Sequence, residues 1–185
     1  MPQGSVLGPI LFNIYINDLD KLPLKSQLFQ YADDIAIVLA HKNYDDAVPI
    51  FQSDINSLAD WFSCNTIFVN KTKTNLMCFR AHQKRVNLIH PIFLHSSDCG
   101  SCNCSPLTYV QETKYLGLTF DENLTWNSHI ENLVKRLRLV LAYMYKLRNL
   151  CDITLRKKVY EALGGSLLRY GITVYGSCSD HRKKK

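Results

Sequence analysis

The sequence lacks any apolar run long enough to cross a membrane. Its most apolar early stretch, ILFNIYIN at Ile10–Asn17, is broken by Asn13 and Asn17, whereas a membrane-spanning helix needs about 18–20 predominantly apolar residues. The first residues also lack the basic start and apolar centre of a signal peptide. We therefore expect a protein with no membrane partner.

A regular set of paired cysteines is also missing. The seven cysteines are odd in number and irregular in spacing, at positions 64, 78, 99, 102, 104, 151 and 178. Disulfide-held secreted domains use even numbers of cysteines, and several of these seven lie in apolar runs, as buried thiols do. The pattern favours a reducing, intracellular compartment without distinguishing nucleus from cytoplasm.

Acidic side chains are scarce in the last part of the chain. Residues 131–185 hold four Asp or Glu against thirteen Lys or Arg, whereas residues 1–130 hold twelve against nine, and the net charge is +6. A basic last part suggests that it holds an anion, with nucleic acid as the first candidate. A solvated helical face is the other interpretation of this charge.

What the sequence does contain is enough apolar material for a core, at 46% of its residues. Spacings of three and four predict helices over about Ile10–Leu19, over 43–64 and from Ser128 onward. The first is apolar nearly all round and should therefore be buried. The other two carry apolar stripes, at Phe51, Ile55, Leu58 and Phe62, and at Ile130, Leu133, Leu137, Val140, Met144 and Leu147.

Strand pairs and one more helix complete the predicted elements. TIFVNKTKTNLMCFR, with a turn at Asn70–Thr74, is predicted as two strands, and VNLIHPIFLH and LTYVQETKYLGLTFD as a further pair. A helix from Thr154 should turn Leu155, Val159 and Leu163 inward and Arg156, Lys157 and Lys158 outward, before Gly164–Gly165 weakens it by roughly 1 kcal/mol per Gly. Trp61 and Trp126 lie in apolar patterns and are predicted as core. Strands with a few helices, then basic helices, predict an α+β fold with an appended helical part.

The stretch FQYADDIAIVL, Phe29–Leu39, places two adjacent carboxylates between strand-forming apolar runs. In one continuous strand, successive side chains point to opposite faces, so Asp33 or Asp34 would face the core as an unpaired charge. A hairpin with its turn at Ala32–Asp34 avoids that cost. It would lift both carboxylates to a tip at the surface.

Two carboxylates as close together as these repel each other unless a cation neutralises them. Mg²⁺ in proteins typically uses one or two carboxylates together with substrate phosphates, and two such ions about 4 Å apart can clamp a phosphoryl transfer. The hairpin tip therefore suggests magnesium-dependent phosphoryl or nucleotidyl transfer. A solvent-exposed Asp-Asp turn with no metal is the alternative.

Four motifs resemble, in order, those of reverse transcriptases. They are PQGSVLGPILFNIYINDL (a palm motif), YADD (the catalytic motif), LADWFSCNTIFVNKTKTNLMCF (the motif that follows) and KYLGLTFDENLTW (the primer-grip hairpin and its continuation). The resemblance is closest to non-LTR retrotransposon (LINE-like, jockey-type) reverse transcriptases and covers nearly all of the chain. It implies an α+β fold: a partial polymerase palm, an antiparallel sheet with packed helices, over 1–127, then a helical thumb with a basic tail over 128–185.

The resemblance also implies roles for individual residues. Asp33 would be a direct ligand of Mg²⁺ (or Mn²⁺), Asp34 a second ligand or a neighbour of the primer 3′ end, and Lys73 a proton donor to pyrophosphate, unless it is an ordinary surface lysine. The nucleotide and the templating base would lie near Gln3, Gly4, Tyr31 and Ala32. The primer backbone would be gripped by Lys114, Tyr115, Leu116 and Gly117, the glycine at a tight turn or bulge. On charge alone, duplex phosphates could be neutralised by Lys135, Arg136, Arg138, Arg148, Arg156, Lys157 and Lys158.

In this family the first catalytic Asp and the fingers lie upstream of the PQGS motif, and neither is present in this sequence. We therefore expect an RNA-directed DNA polymerase fragment that is inactive alone. Its partners would be an RNA template with a DNA primer, deoxynucleoside triphosphates and the missing N-terminal polymerase region. The alternative is a non-catalytic nucleic-acid-binding remnant of a mobile element.

The segment HPIFLHSSDCGSCNC raises a third possibility, a zinc-binding interaction module. It holds His90, His95, Cys99, Cys102 and Cys104, and the two-residue gap between Cys99 and Cys102 suits zinc. A single such pair is a weak signal, and the segment falls where the family has a variable hairpin turn. A cysteine-bearing loop without metal is therefore the default interpretation.

Overall fold

The computed structural model describes residues 5–95 and 105–176. The chain divides into two units, one of Met1–Leu76 with Arg85–Tyr109 and the other of Met77–Lys84 with Val110–Lys185. Each combines helices with a two-stranded antiparallel sheet, which confirms the predicted mixture of helix and sheet. The assignment of 1–127 to a palm and of 128–185 to a thumb stays a prediction.

The first unit builds a hairpin against a long helix. Its described elements are helix α1 (Gly8–Tyr15), a 3₁₀ turn (Leu19–Lys21), strands β1 (Gln27–Tyr31) and β2 (Asp34–Val38), and helix α2 (Tyr44–Cys64). Leu28 of β1 lies opposite Ile37 of β2. Both pack against a buried cluster formed by Ile16, Leu19, Leu58 and Trp61.

The prediction that the first helix is buried over Ile10–Leu19 is wrong. No residue of α1 is buried, and Ile14 is 68% exposed. Burial comes after the helix instead, at Ile16 and Leu19, which are 1% and 0% exposed. A helix that is apolar on every side can press only one side against a single neighbouring layer, and in α1 that side carries Phe12.

The second predicted helix is confirmed as α2. It begins after Asn43 and carries Asp45 and Asp46 in its first turn, where negative charge suits the helix dipole. Ile55 and Leu58 are each 4% exposed. The apolar stripe read from the sequence is therefore the side that α2 buries.

A second buried cluster of this unit contains Ile55, Leu76 and Ile92. Ile37 of β2 packs against this cluster as well as against the first. The hairpin is therefore anchored through one side chain to both cores of the unit.

The two strands predicted within TIFVNKTKTNLMCFR and the single strand predicted over VNLIHPIFLH are wrong. The backbone there forms isolated bridges, of Leu76 with Tyr109 and of Phe93 with Pro106. Gln52 of α2 uses the pairing groups of Phe93, because its amide nitrogen donates to Phe93 O at 2.8 Å and its amide oxygen accepts from Phe93 N at 2.8 Å. A strand ladder would need those same backbone groups.

The second unit is mainly helical. Its described elements are β3 (Glu112–Tyr115), β4 (Leu118–Asp121), α3 (Asn127–Lys146), a 3₁₀ turn (Leu147–Asn149), α4 (Ile153–Tyr160), a π-helical turn (Glu161–Gly165), α5 (Ser166–Arg169) and α6 (Ile172–Tyr175). β3 and β4 pair with each other as one hairpin, as the resemblance of KYLGLTFDENLTW to a primer-grip hairpin implies, and LTYVQETKYLGLTFD is therefore not a single strand paired with VNLIHPIFLH. The core of the unit is formed by Leu118, Trp126 and Tyr175.

Asp121 organises the turn between β4 and α3. Its carboxylate accepts hydrogen bonds from Thr125 N at 2.9 Å and from Trp126 N at 2.8 Å. Trp126, with a φ of 63°, is 6% exposed, and Trp61 of the first unit is 9% exposed. The prediction that both tryptophans are core residues is confirmed.

The apolar stripe of α3 is confirmed, whereas the prediction for the next helix is only partly right. Val140 is buried, and the rest of the stripe is half-buried, at Ile130, Leu133, Leu137, Met144 and Leu147. In and after α4, Val159 is half-buried, but Leu155 and Leu163 are 47% and 46% exposed. The π-helical turn changes the phase of the helix before Leu163, so spacing alone assigns that residue to the wrong side.

Candidate functional site

The first candidate site is the acidic tip, Tyr31–Asp34, where β1 turns into β2. Tyr31 pairs with Asp34 as the last pair of the ladder, so the loop consists of Ala32 and Asp33 alone. Ala32 has a φ of 52°, and a positive φ at the first loop residue is what a tight two-residue hairpin turn requires. The predicted hairpin is therefore confirmed.

Both carboxylates of the acidic tip are exposed to solvent. The body of the hairpin below them is held by Leu28 and Ile37, which pack on the first core. Burial of these apolar side chains fixes the position of Asp33 and Asp34 without removing either charge from water. The tip thus avoids the desolvation cost that a buried, unpaired carboxylate would carry.

The acidic tip can supply two carboxylates to a cation. Across residues 5–95 and 105–176, no three His, Cys, Asp or Glu side chains gather closely enough to hold a metal ion. Mg²⁺ is commonly bound by one or two protein carboxylates, with water and substrate phosphate oxygens as its other ligands. Asp33 and Asp34 therefore fit a magnesium ion that is held jointly with a phosphate-bearing substrate.

Lys73 lies exposed on the predicted turn at Asn70–Thr74, which the structure contains. Asn70 builds this turn with its side-chain oxygen, which accepts from Thr72 N at 3.1 Å and from Lys73 N at 3.3 Å. Its main-chain oxygen accepts from Thr74 N at 3.1 Å. These bonds fix the backbone that carries Lys73, and its role toward pyrophosphate stays a prediction.

The second candidate site is the Leu-Gly turn, Tyr115–Leu118, where β3 turns into β4. Tyr115 pairs with Leu118, which leaves a loop of Leu116 and Gly117 with φ values of 45° and 79°. Positive φ at both loop residues is the pattern of a type I′ hairpin turn. The predicted tight turn at Gly117 is confirmed, and Lys114 is exposed on the strand that leads into it.

Tyr170 is a residue that the sequence reading missed. Its hydroxyl donates a hydrogen bond to Leu116 O at 2.6 Å, across a sequence separation of 54 residues. It lies between α5 and α6, immediately before Gly171. The only signal in the local sequence was a tyrosine followed by a glycine at the end of a short helix. This pattern does not predict which backbone group the hydroxyl binds.

The predicted duplex-binding residues form a basic set on and between α3 and α4. Six of the seven are exposed, namely Lys135, Arg136, Arg138, Arg148, Lys157 and Lys158. Arg156 is half-buried, contrary to its predicted outward position, and its Nε donates to Asp152 O at 3.4 Å. No described acidic side chain forms an ion pair with any member of the set, so these charges are available to an external anion.

One buried imidazole lies at the start of α3. His129 is 9% exposed, and its Nδ1 accepts a hydrogen bond from Thr119 N at 3.4 Å, while its Nε2 has no hydrogen-bond partner among the described residues. Burial lowers the pKa of His129, and the positive charge of Arg136 lowers it further. The ring is therefore neutral at physiological pH.

Some predicted site residues lie outside the described residues. These are Gln3 and Gly4 of the proposed nucleotide site and Cys99, Cys102 and Cys104 of the possible zinc site. His90, another candidate zinc ligand, lies 3.3 Å from the carboxylate of Asp45. In the described ranges, no helix is both long and apolar enough to span a membrane.

Comparison with known proteins gives a consistent set of matches. The family model described as "Reverse transcriptase (RNA-dependent DNA polymerase)" matches residues 1–120. The chain is 27% identical to the "Probable RNA-directed DNA polymerase from transposon X-element" of Drosophila melanogaster, over 100% of this chain and 20% of that protein. It is 30% identical to the "Probable RNA-directed DNA polymerase from transposon BS" of the same fly, over 95% of this chain and 20% of that protein.

A third relative is the "RNA-directed DNA polymerase from mobile element jockey" of Drosophila melanogaster. The identity is 27%, over 95% of this chain and 19% of the relative. The chain thus spans about a fifth of the length of the curated relatives that it matches. No solved structure matches it.

Proposed function

Because this chain belongs to the reverse transcriptase family of non-LTR retrotransposons, we propose that it forms part of the centre that copies RNA into DNA. In this proposal residues 1–127 are part of the polymerase palm and residues 128–185 begin the thumb. The substrates are an RNA template with a DNA primer and deoxynucleoside triphosphates. The rest of the polymerase would be formed by regions of the kind that the longer relatives contain outside the matched fifth.

The observation that carries the proposal is the acidic tip. Asp33 and Asp34 are adjacent, exposed and held on a hairpin whose apolar side chains are anchored in the core. Magnesium or manganese bound there would stabilise the negative charge that develops on the attacking and leaving oxygens of nucleotidyl transfer. Asp33 would be the direct ligand, and Asp34 a second ligand or a neighbour of the primer 3′ end.

Other residues of the chain would bind and orient the substrates. Tyr31 and Ala32 would shape the turn beside the primer end, with Gln3 and Gly4 near the nucleotide and the templating base. Lys73, exposed on its Asn70-built turn, would give a proton to the departing pyrophosphate. The primer backbone would lie on Lys114, Tyr115, Leu116 and Gly117.

The basic set would hold the template–primer duplex. Its exposed lysines and arginines have no described acidic partner, so phosphates can neutralise them. Contacts of this kind give affinity that depends on salt and not on base sequence. Recognition of the duplex by shape is the corresponding expectation for an A-like hybrid.

The second candidate function is a nucleic-acid-binding fragment without catalysis. It is favoured by the acidic tip itself, which has no third potential metal ligand within the described ranges. Two carboxylates can hold magnesium only with oxygens from elsewhere. On this proposal the 185-residue chain alone binds duplex and does not extend a primer.

Manganese binding tests the proposed role of the tip, since Mn²⁺ is paramagnetic and can replace Mg²⁺. The 185-residue chain would be mixed with template–primer, a non-hydrolysable deoxynucleotide analogue and Mn²⁺, and bound ion measured by electron paramagnetic resonance. Replacing Asp33 and Asp34 by Asn should remove the bound signal. Duplex binding with no ion at the tip would support the non-catalytic alternative.

The chain offers a matched control for this experiment. Asp45 and Asp46 are a second adjacent, exposed aspartate pair, placed in the first turn of α2. Replacing both by Asn changes the net charge equally but leaves the acidic tip intact. An equal loss of bound manganese in the two double variants would mean nonspecific charge binding and would contradict the proposal.

A further inference from the structure

The Leu-Gly turn adopts a backbone conformation that its own sequence does not favour. A type I′ turn needs positive φ at both loop residues, and Asn-Gly is the preferred pair. Here Leu116 occupies the first position with a φ of 45°, although a side chain with a Cβ is disfavoured in the left-handed region. A contact outside the hairpin must therefore help to hold Leu116 in place.

Tyr170 makes such a contact in two ways. Its hydroxyl donates to Leu116 O at 2.6 Å. Its ring lies over the following residue, because a Cβ built on Gly117 would come within 3.2 Å of Tyr170 Cε1. One side chain thus holds the carbonyl of the first loop residue and covers the second.

Tyr170 is itself held in position by the backbone around it. Its N–H donates to Ser166 O at 3.0 Å, and the next residue, Gly171, has a φ of 69°. A Cβ on Gly171 would come within 2.7 Å of Leu118 Cδ2, so the chain passes directly against the residue that follows the turn. The tyrosine is therefore anchored on the hairpin whose turn it contacts.

The contact is not a core contact. Tyr170 is 57% exposed, whereas the core of the unit consists of the buried Leu118, Trp126 and Tyr175. Removing only the hydroxyl should leave that core intact. The hydrogen bond to Leu116 therefore contributes little to the stability of the core. Its main effect is to hold the backbone conformation of the turn.

We propose that Tyr170 is a positioning residue that sets the Leu-Gly turn for contact with the primer strand. The inference rests on the proposed function, in which this turn grips the primer backbone. Tyr170 acts through Leu116 and Gly117 and does not touch the reacting atoms. Through the turn, Tyr170 would help to position a recessed primer 3′ end.

The test compares the binding of two RNA–DNA duplexes to the 185-residue chain. One is an RNA–DNA duplex with a recessed primer 3′ end, and the other is the same duplex made blunt. The ratio of their dissociation constants, the end preference, reports contact with the primer end and cancels general phosphate binding. Tyr170→Phe should lower the end preference by about threefold or more, as expected for one lost hydrogen bond, without changing the affinity for the blunt duplex.

A matched control is Tyr143→Phe. Tyr143 is also 57% exposed and lies on α3 of the same unit. This variant should keep the wild-type end preference. If Tyr170→Phe keeps it too, while wild type prefers the recessed end, the inference fails and the proposed function stands. If wild type shows no end preference, the proposed function itself fails for this turn.

A second variant separates positioning from simple loss of stability. Leu116→Asn provides the Asn-Gly pair that adopts the turn without outside help. In that background Tyr170→Phe should change the end preference by less than about twofold, because the turn no longer depends on the hydroxyl. An equally large effect in both backgrounds would overturn the inference.

Discussion

Asp54 accepts two hydrogen bonds from Ser26, one from its backbone nitrogen at 2.7 Å and one from its hydroxyl at 2.5 Å. The carboxylate is 4% exposed and also accepts from Lys25 N at 3.2 Å. It joins the middle of α2 to the residue that precedes β1. The entry of the hairpin that carries Asp33 and Asp34 is therefore fixed by a buried carboxylate.

Replacing Asp54 by Ala should destabilise the first unit by about 2–4 kcal/mol, because buried backbone donors lose their acceptor. Chemical denaturation followed by circular dichroism measures this. Ser26→Ala is the graded control, since it removes one of the three bonds and should cost about 1 kcal/mol. Equal effects of the two substitutions would show that the carboxylate does not hold the backbone.

Asp33→Ala should abolish primer extension in a complete polymerase that contains this chain, with a loss on the order of 100-fold or more. The side chain is exposed, so the fold should persist. Incorporation of labelled nucleotides on an RNA template measures the activity, and circular dichroism checks the fold. Asp45→Ala is the control from the other aspartate pair; retained extension by the Asp33 variant would refute the proposed ligand.

Replacing Lys135, Arg136 and Arg138 by Ala should make duplex binding less sensitive to salt. If all three contact phosphates, the slope of log affinity against log salt should fall in magnitude by about 2 to 3 units. Fluorescence anisotropy across a salt series measures it. A control that replaces Lys21, Lys25 and Lys42 removes the same charge from the first unit and should leave a steeper slope; equal slopes in the two variants would mean that the helix residues face elsewhere.

Acid should destabilise the second unit through His129. Its pKa is lowered in the folded chain, first by burial and then by Arg136, so the unfolded chain binds the proton more readily. The stability that the neutral ring provides is present above the unfolded pKa of about 6.5 and is lost as the pH falls toward the lower folded value. Denaturation between pH 8 and pH 5, at roughly half-unit steps spanning that window, should show the fall.

His129→Gln should flatten that pH dependence, because Gln does not titrate. His82→Gln is the control, since His82 is exposed to solvent and not buried like His129. A wild-type stability that rises as the pH falls through this window would contradict the argument.

The hairpin at the acidic tip was predictable because the cost of burying an unpaired carboxylate excludes one continuous strand. Neither Asp33 nor Asp34 can face a core without a partner, and strand-forming runs lie on both sides, so a hairpin is the remaining solution. The stripe of α2 was equally readable. Asp54 lies four residues before Leu58 and seven before Trp61, on the same buried side of α2. This spacing predicts a buried structural carboxylate, which the sequence analysis did not identify.

The errors concern partners that a local pattern does not contain. The strand formers around Phe93 have a suitable composition, but Gln52 occupies the backbone groups that a neighbouring strand would need. Strand formation depends on such nonlocal pairing more than on intrinsic preference. The contact of Tyr170 with Leu116 is also nonlocal, because the local sequence around either residue does not predict that the two meet.

Both hairpin tips place a side chain in the left-handed region, Ala32 in one and Leu116 in the other. A chain selected for folding alone would gain from Gly or Asn at these positions. Alanine and leucine at these two positions therefore leave backbone strain at both tips that Gly or Asn would relieve. Ala32→Gly and Leu116→Asn should therefore each raise the free energy of unfolding, because either residue adopts a positive φ at lower cost.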